Sequence, residues 1–282
     1  MTYILRRRRL GRTSCNEISN LSKTGIKVVR NDEQLPQDDQ LVIRWGCTST
    51  VPQRNVLNSA QAIHGVSDKI AFRRKLEDAS LCPKTWFSHD EFLEEEEYPV
   101  IVRPRHHHQG RNLFVANTAD DLNNILCSEG SLADGYYISR KIDKVAEFRV
   151  FVVSGRAVAV ANKTPGDPTA VAWNVAQGGR FDNVRFGEWP MRAVEVAIAG
   201  FNLSGLDFGG VDIMVDAGGE ATILEINSAP SLTSPYRQSC MAKAFDYIVL
   251  NGKGSISVPH PRAMSYTWKD YIHPAISTEA IV

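Results

Sequence analysis

Residues 210–232, GVDIMVDAGGEATILEINSAPSL, constrain the chain more than any other stretch. Two runs with alternating character, 211–215 and 222–226, flank a glycine-rich segment, which reads as an antiparallel hairpin. With the turn at 217–220, Asp216 faces Ala221 and Asp212 lies directly across from Glu225. Directly opposed residues share a face, and Asn227, two residues beyond Glu225, points the same way. Two carboxylates and an amide oxygen therefore converge among Val211, Ile213, Ile223, Leu224 and Ile226. Opposed like charges destabilise a hairpin unless something neutralises them. Between Asp207 and Asn227 there are five acids and no Lys or Arg, which argues against an ion pair within the hairpin. A hard divalent cation suits all-oxygen ligands, and Mg2+ is commonly held by one or two carboxylates plus substrate phosphates. The bland reading is a hairpin whose wet face merely solubilises it.

A weakly liganded Mg2+ implies phosphates, and phosphates imply cations elsewhere. Residues 98–103 and 113–116 read as a second hairpin with a polar tip, where Arg103, Arg105 and Arg111 flank His106, His107 and His108. No acid interrupts that tip, and Gly110 permits close backbone approach. Such a loop can fold over a polyphosphate, although an ordinary surface turn has the same composition. Three consecutive histidines rarely converge on one transition metal. Arg149 lies in AEFRVFVV, with Glu147 on the same face. An arginine in so apolar a strand needs a partner: either Glu147 or a transferring phosphoryl group.

Composition limits the alternatives. The 32 basic and 32 acidic residues among 282 give a formal charge of zero. That argues against a globally nucleic-acid-binding chain. A small anion patch at 6–9 (RRRR) stays open beside a solvated loop. The five cysteines are widely spaced and odd in number, so neither a disulfide framework nor a zinc site is expected, and free thiols suit a reducing, cytoplasmic setting. No targeting segment or membrane span is expected, because the longest apolar-rich stretch, 150–161, is interrupted and far short of the roughly 20 residues needed.

Along the chain, 3–5, 26–29 and 41–45 read as strands, with a helix at 14–23 capped by Ser or Asn; strand, helix, strand favours a parallel sheet. A helix follows at 67–79, capped by Ser67 or Asp68, and another at 118–125 behind Thr118. The acids 94–97 read as a solvated helix end. Residues 148–153 and 157–161 form a hairpin turning at Ser154-Gly155, and 191–200 an amphipathic helix. After 250 the pattern decays. The division expected is an N-terminal α/β unit at 1–66, a two-lobed unit at 67–250 (67–138 and 139–250), and a tail at 251–282.

The order of these parts resembles the ATP-grasp superfamily, and within it the branch of ribosomal-protein glutamate ligases (RimK-like), over roughly residues 58–250. The strongest match is VDIMVD…LEINSAPSL, resembling the family's Asp…Glu-x-Asn metal motif. The resemblance implies an α/β (α+β) fold with two lobes gripping ATP, and Asp212, Glu225 and Asn227 as Mg2+ ligands, with Mn2+ an option. VRPRHHHQGRNLFVA resembles the phosphate loop: Gln109 and Gly110 take its Gln-Gly, and Arg103 replaces its nucleotide-binding Lys. Ser139, Arg140, Lys141 and Ile142 fall on the adenine-holding hinge. Glu147 takes an ATP-contacting position and Arg149 a phosphoryl-facing one. Asn174, before Gly178-Gly179, would approach phosphate and metal, and Lys69 phosphate. The departures are the Lys-to-Arg change at 103, which replaces a point charge with a planar fork, the histidines in the loop, and the basic pair at 140–141.

The expected function is an ATP-dependent carboxylate–amine ligase working through an acyl phosphate. Its partners would be ATP, a carboxylate and an amine from a peptide, protein or amino acid, with a homo-oligomer left open. A kinase of the same fold and a non-catalytic nucleotide-binding module are the alternatives.

Overall fold

The computed structural model describes residues 1–253 except 32, 34, 36–40, 52–54, 106–111, 168 and 174–177. The first strands, β1 (Tyr3–Arg6), β2 (Lys27–Arg30), β3 (Val42–Trp45) and β4 (Val56–Leu57), form a parallel sheet in the order β2-β1-β3-β4. The helix between the first two, α1 (Arg12–Leu21), begins earlier than the sequence suggests, behind Gly11 at φ 68° and without a side-chain cap. A Cβ at Gly11 would lie 2.5 Å from Trp45 Cδ1, so the close turn requires glycine. Ser14, an expected cap, instead accepts a hydrogen bond from the Leu232 N–H at 3.0 Å.

Two helices follow, α2 (Ala60–Ser67), absent from the sequence reading, and α3 (Lys69–Asp78), the helix expected at 67–79. Asp68 caps α3 by accepting from the Ala71 N–H at 3.1 Å. Next come β5 (Thr85–Trp86), α4 (His89–Leu93), β6 (Val100–Pro104), β7 (Phe114–Ala116), α5 (Ala119–Ser128) and β8 (Tyr136–Arg140). The strands form an antiparallel sheet, β5-β8-β6-β7, around Trp86, Phe92, Val102, Leu122 and Ile138. The expected 98–116 hairpin is the β6–β7 pair. The acidic run after α4 is exposed, with Glu95 paired to Lys84 and Glu97 to Arg140.

The rest builds the central sheet. Its elements are β9 (Lys144–Val153), β10 (Arg156–Thr164), β11 (Arg180–Val184), α6 (Met191–Ser204), β12 (Phe208–Asp216), β13 (Ala221–Asn227) and α7 (Pro235–Asn251). Strand order is β11-β10-β9-β12-β13, antiparallel throughout. One face packs Val150, Val152, Val211 and Ile213 against α6, α2 and α3. The other packs Phe151, Val153, Ala161 and Phe208 against α7 and the N-terminal sheet. Trp45 stacks on Phe208 at 5.3 Å, and Phe208 meets Phe245 edge-on at 5.0 Å, so the parallel and central sheets share one core. The tail from 254 lies outside the described residues. Among those described, no helix is long and apolar enough to cross a membrane.

Candidate active site

The carboxylate hairpin is β12–β13, and Asp212 pairs directly with Glu225 as the alternation requires. The turn departs from expectation. Val215, not Asp216, faces Ala221, and a bulge at Leu224 takes up the extra residue. Without it Asp212 would face Leu224. The bulge has its own support: buried Arg73 on α3 donates to the carbonyls of Ile223 (3.2 Å) and Leu224 (2.7 Å), and the Ile223 N–H donates to Leu81 O at 2.8 Å. A helix on one face of the sheet thus sets the register of the acids on the other.

The acids do have cationic partners, supplied by neighbouring strands. Asp212 pairs with Arg149 on β9, and the guanidinium grips both carboxylate oxygens through Nε at 2.6 Å and Nη2 at 2.7 Å. Of the two partners offered for Arg149, Glu147 is thus not the one it takes within the protein, and the cations that neutralise Asp212 come from outside the hairpin, which itself holds none. Glu147, 2% exposed, lies between Lys144 at 2.5 Å and Lys163 on β10, each taking one oxygen. Lys163 also approaches Asp212 Oδ2 at 3.5 Å. Gly210 keeps this face open: a Cβ there would meet Pro230 Cβ at 2.9 Å and Arg149 Cδ at 3.4 Å.

The electrostatics follow from burial and pairing. Burial on its own lowers the Arg149 value, but the Asp212 charge and its two hydrogen bonds raise it above the ordinary arginine value. Lys163 behaves likewise, with burial outweighed by Asp212 and Glu147. For Lys144 burial wins over Glu147, and its value falls. Burial pushes the Glu225 carboxyl up, but Lys69, the Asn227 amide, Arg103 and Arg149 outweigh it and hold the group well below the usual carboxylate range.

The remaining expected residues divide into groups. Lys69, the first residue of α3, places Nζ 3.7 Å from Glu225 Oε2. Asn227 donates to Glu225 Oε1 at 3.0 Å, which leaves its own Oδ1 to act as a ligand. Arg103 on β6 sits opposite Tyr137 and acts on Glu225 through its charge. Ser139 and Arg140 end β8, and Lys141 and Ile142 begin the link to β9 of the central sheet. The N–H groups of Arg140 and Lys141 donate to Lys84 O (2.9 Å) and Pro99 O (3.0 Å), while their side chains reach Glu97 and Asp143. None of these contacts involves Asp212 or Glu225. Gln109, Gly110 and Asn174 lie outside the described residues.

Sequence reasoning missed Lys144, Lys163, Phe181 and Arg237. Phe181 on β11 receives three cations on its ring, with centroid distances of 4.8 Å for Arg149, 5.5 Å for Lys163 and 5.9 Å for Arg237. Lys163 carried a usable signal, since it shares strand parity with the inward Ala159 and Ala161. Arg237 carried none, because α7 itself was not read.

Two carboxylates and an amide oxygen suit a hard cation. Among the described residues no group of three or more His, Cys, Asp or Glu is placed to hold a metal, and here the third donor would be the Asn227 amide. The residues present thus fit Mg2+, with an arginine and lysines at hand for phosphates.

None of the curated proteins matches the sequence. Among solved structures, D-alanine–D-alanine ligase from Bacillus anthracis complexed with ATP superposes with a TM-score of 0.64 at 13% identity, over 89% of this chain and 96% of that one. A RimK domain ATP-grasp protein from Sphaerobacter thermophilus gives 0.61 at 15%, over 89% and 100%. The ATP-grasp ligase PsnB, complexed with minimal precursor, Mg and ADP, gives 0.60 at 13%, over 82% and 90%. At these identities the likeness concerns the fold. The family model for the RimK-like ATP-grasp domain matches residues 84–248, more than half of the chain, and with the fold and the carboxylate hairpin in agreement the chain belongs to that family.

Proposed function

We propose that the protein is an ATP-dependent carboxylate–amine ligase that forms an amide through an acyl phosphate. The observation that carries this is the row Arg149–Asp212–Glu225 across three adjacent strands, a bidentate arginine beside two opposed carboxylates. The family, and the Mg and ADP bound with a peptide precursor in PsnB, support the same reading. The division into 1–66, 67–250 and a tail is likewise a proposal.

Asp212, Glu225 and Asn227 would hold Mg2+, which when bound offsets the phosphate charge. Lys69 and Arg103 lie on the Glu225 side and would face the β- and γ-phosphates. A carboxylate oxygen of the substrate attacks the γ-phosphorus, the bond to the β-phosphate oxygen breaks, and ADP leaves. Such transfers are catalysed mainly by positioned positive charge, and Arg149 and Lys163 supply it. Arg149 trades part of its grip on Asp212 for the phosphoryl oxygens as the nucleotide enters. An amine nitrogen then attacks the acyl carbon, phosphate departs, and the amine gives up a proton. Residues 139–142 are proposed to hold the base; Glu147, fully engaged by two lysines, acts by keeping them in place. Gln109, Gly110 and Asn174 are retained as candidate phosphate contacts.

The test is mass spectrometry of reactions with Mg-ATP and pooled amino acids and peptides. A ligase yields a product lighter by one water than its two substrates, together with ADP and free phosphate. A phosphorylated product without free phosphate would identify a kinase instead.

A further inference from the structure

Arg237, near the start of α7, is 2% exposed, yet among the described residues no carboxylate hydrogen-bonds or ion-pairs with it, and the exposed Asp182 acts on it through its charge alone. Its guanidinium donates to neutral oxygens only, Asn183 Oδ1 at 2.7 Å and Thr233 Oγ1 at 3.1 Å, and its buried Nε has no hydrogen-bond partner. A buried charge held by neutral groups is unfavourable unless an anion completes it. Here the imbalance is local. Lys144, Arg149, Lys163 and Arg237 gather around two buried acids, Glu147 and Asp212, while the third acid in reach, Asp182, is exposed and already paired with Arg180.

The sheet order says which anion is missing. Glu225, Lys69 and Arg103 mark the nucleotide side, at the β13 edge. Arg237 reaches the sheet at Asn183 on β11, the opposite edge, four strand spacings or roughly 19 Å away. Arg149 stands on β9, in the middle. In an in-line transfer the nucleotide and the attacking oxygen approach the phosphoryl group from opposite sides. The burial of Arg237 is shallow, because Asn183 and Thr233, which cover it, are both exposed short side chains.

We propose that Arg237 is the anchor of the carboxylate substrate, binding its oxyanion on the far side of Arg149 from the nucleotide and retaining the acyl phosphate afterwards. Asn183 and Thr233 hold the guanidinium until the anion displaces them. The inference rests on the ligase reading and adds to it a subsite and its ligand class.

Calorimetric titration of the full chain with Mg-ADP, followed by acetyl phosphate as the probe, tests both. In the wild type both bind. In Arg237→Gln acetyl phosphate weakens by about tenfold or more, as befits a lost charge-assisted hydrogen bond, while Mg-ADP stays within about twofold; Arg237→Lys is intermediate. Equal acetyl phosphate binding in wild type and Arg237→Gln, or none in a wild type that binds Mg-ADP, overturns the inference and leaves the ligase reading intact. A wild type that does not bind Mg-ADP overturns the reading itself. Retained Mg-ADP binding shows that the variant is folded. Should Arg237→Gln fail to fold, Asn183→Ala/Thr233→Ala removes the neutral acceptors that compete with the anion while keeping the guanidinium's charge, and is expected to tighten acetyl phosphate alone; unchanged or weaker binding there overturns the inference.

Discussion

Glu147→Gln is an isosteric change with a large expected effect. The carboxylate is 2% exposed, and its two oxygens serve Lys144 and Lys163, whose side chains are 11% and 7% exposed. Solvent therefore screens little of the interaction. Removing one member of a buried charge pair destabilises by about 3–5 kcal/mol. The amide oxygen keeps one hydrogen bond, and Lys163 retains Asp212 at 3.5 Å, which points to the lower end, about 3 kcal/mol. For a chain of this size that lowers Tm by about 6–10 °C. The deficit carries a pH signature. Burial already pulls Lys144 below the ordinary lysine value of 10.5 with Glu147 beside it. A lysine lowered in the folded state adds stability as pH rises from its folded value towards its unfolded one, because the unfolded chain binds the extra proton. Without Glu147 the value falls further, so the deficit is smaller at about pH 9.5 than at about pH 7. Scanning calorimetry at both values is the assay. A Tm within about 2 °C of wild type at both pH values would refute the claim that Glu147 holds two buried ammonium groups.

Other perturbations probe separate parts of the account. Arg149→Lys keeps the charge and loses the two-toothed grip on Asp212; turnover is expected to fall on the order of a hundredfold or more, with Mg-ADP affinity in calorimetry changed only a few-fold. Arg73→Leu strips the bulge carbonyls of Ile223 and Leu224 of their donor; a loss of about 2–4 kcal/mol in chemical denaturation is expected, together with weaker Mg2+ dependence of nucleotide binding as Glu225 slips from Asp212. Of the cysteines, Cys127 alone is exposed, and burial pushes Cys15 and Cys240 up to about 12. One thiol is therefore expected to react rapidly with Ellman's reagent in the native protein, and all five after denaturation.

Local signals carried the site as far as neighbouring residues could. Alternation around a glycine turn places Asp212, Glu225 and Asn227 on one face, and the structure pairs the two acids as that argument requires. The right pair follows even from a turn one residue off, because the bulge at Leu224 on β13 depends on Arg73, distant in sequence and on a helix. The partner of Arg149 was illegible for a related reason. Glu147 is its neighbour by strand parity, whereas Asp212 becomes its neighbour only once β9 and β12 pair. Lys163 reaches the cluster through the β9–β10 hairpin, whose turn was legible although its consequence was not. The start of α1 was misplaced because a steric fit of Gly11 to Trp45, rather than a hydrogen-bonding cap, begins that helix.

The central claim is that a substrate carboxylate is phosphorylated before an amine displaces the phosphate. Once the product screen has identified an accepted carboxylate, that acid labelled with 18O in both oxygens is turned over with Mg-ATP and amine, and the inorganic phosphate is analysed by mass spectrometry. One 18O per phosphate is expected, because the attacking oxygen leaves with the phosphoryl group. Unlabelled phosphate alongside normal amide formation would contradict the acyl phosphate, and with it the role assigned to Arg149 beside Asp212 and Glu225.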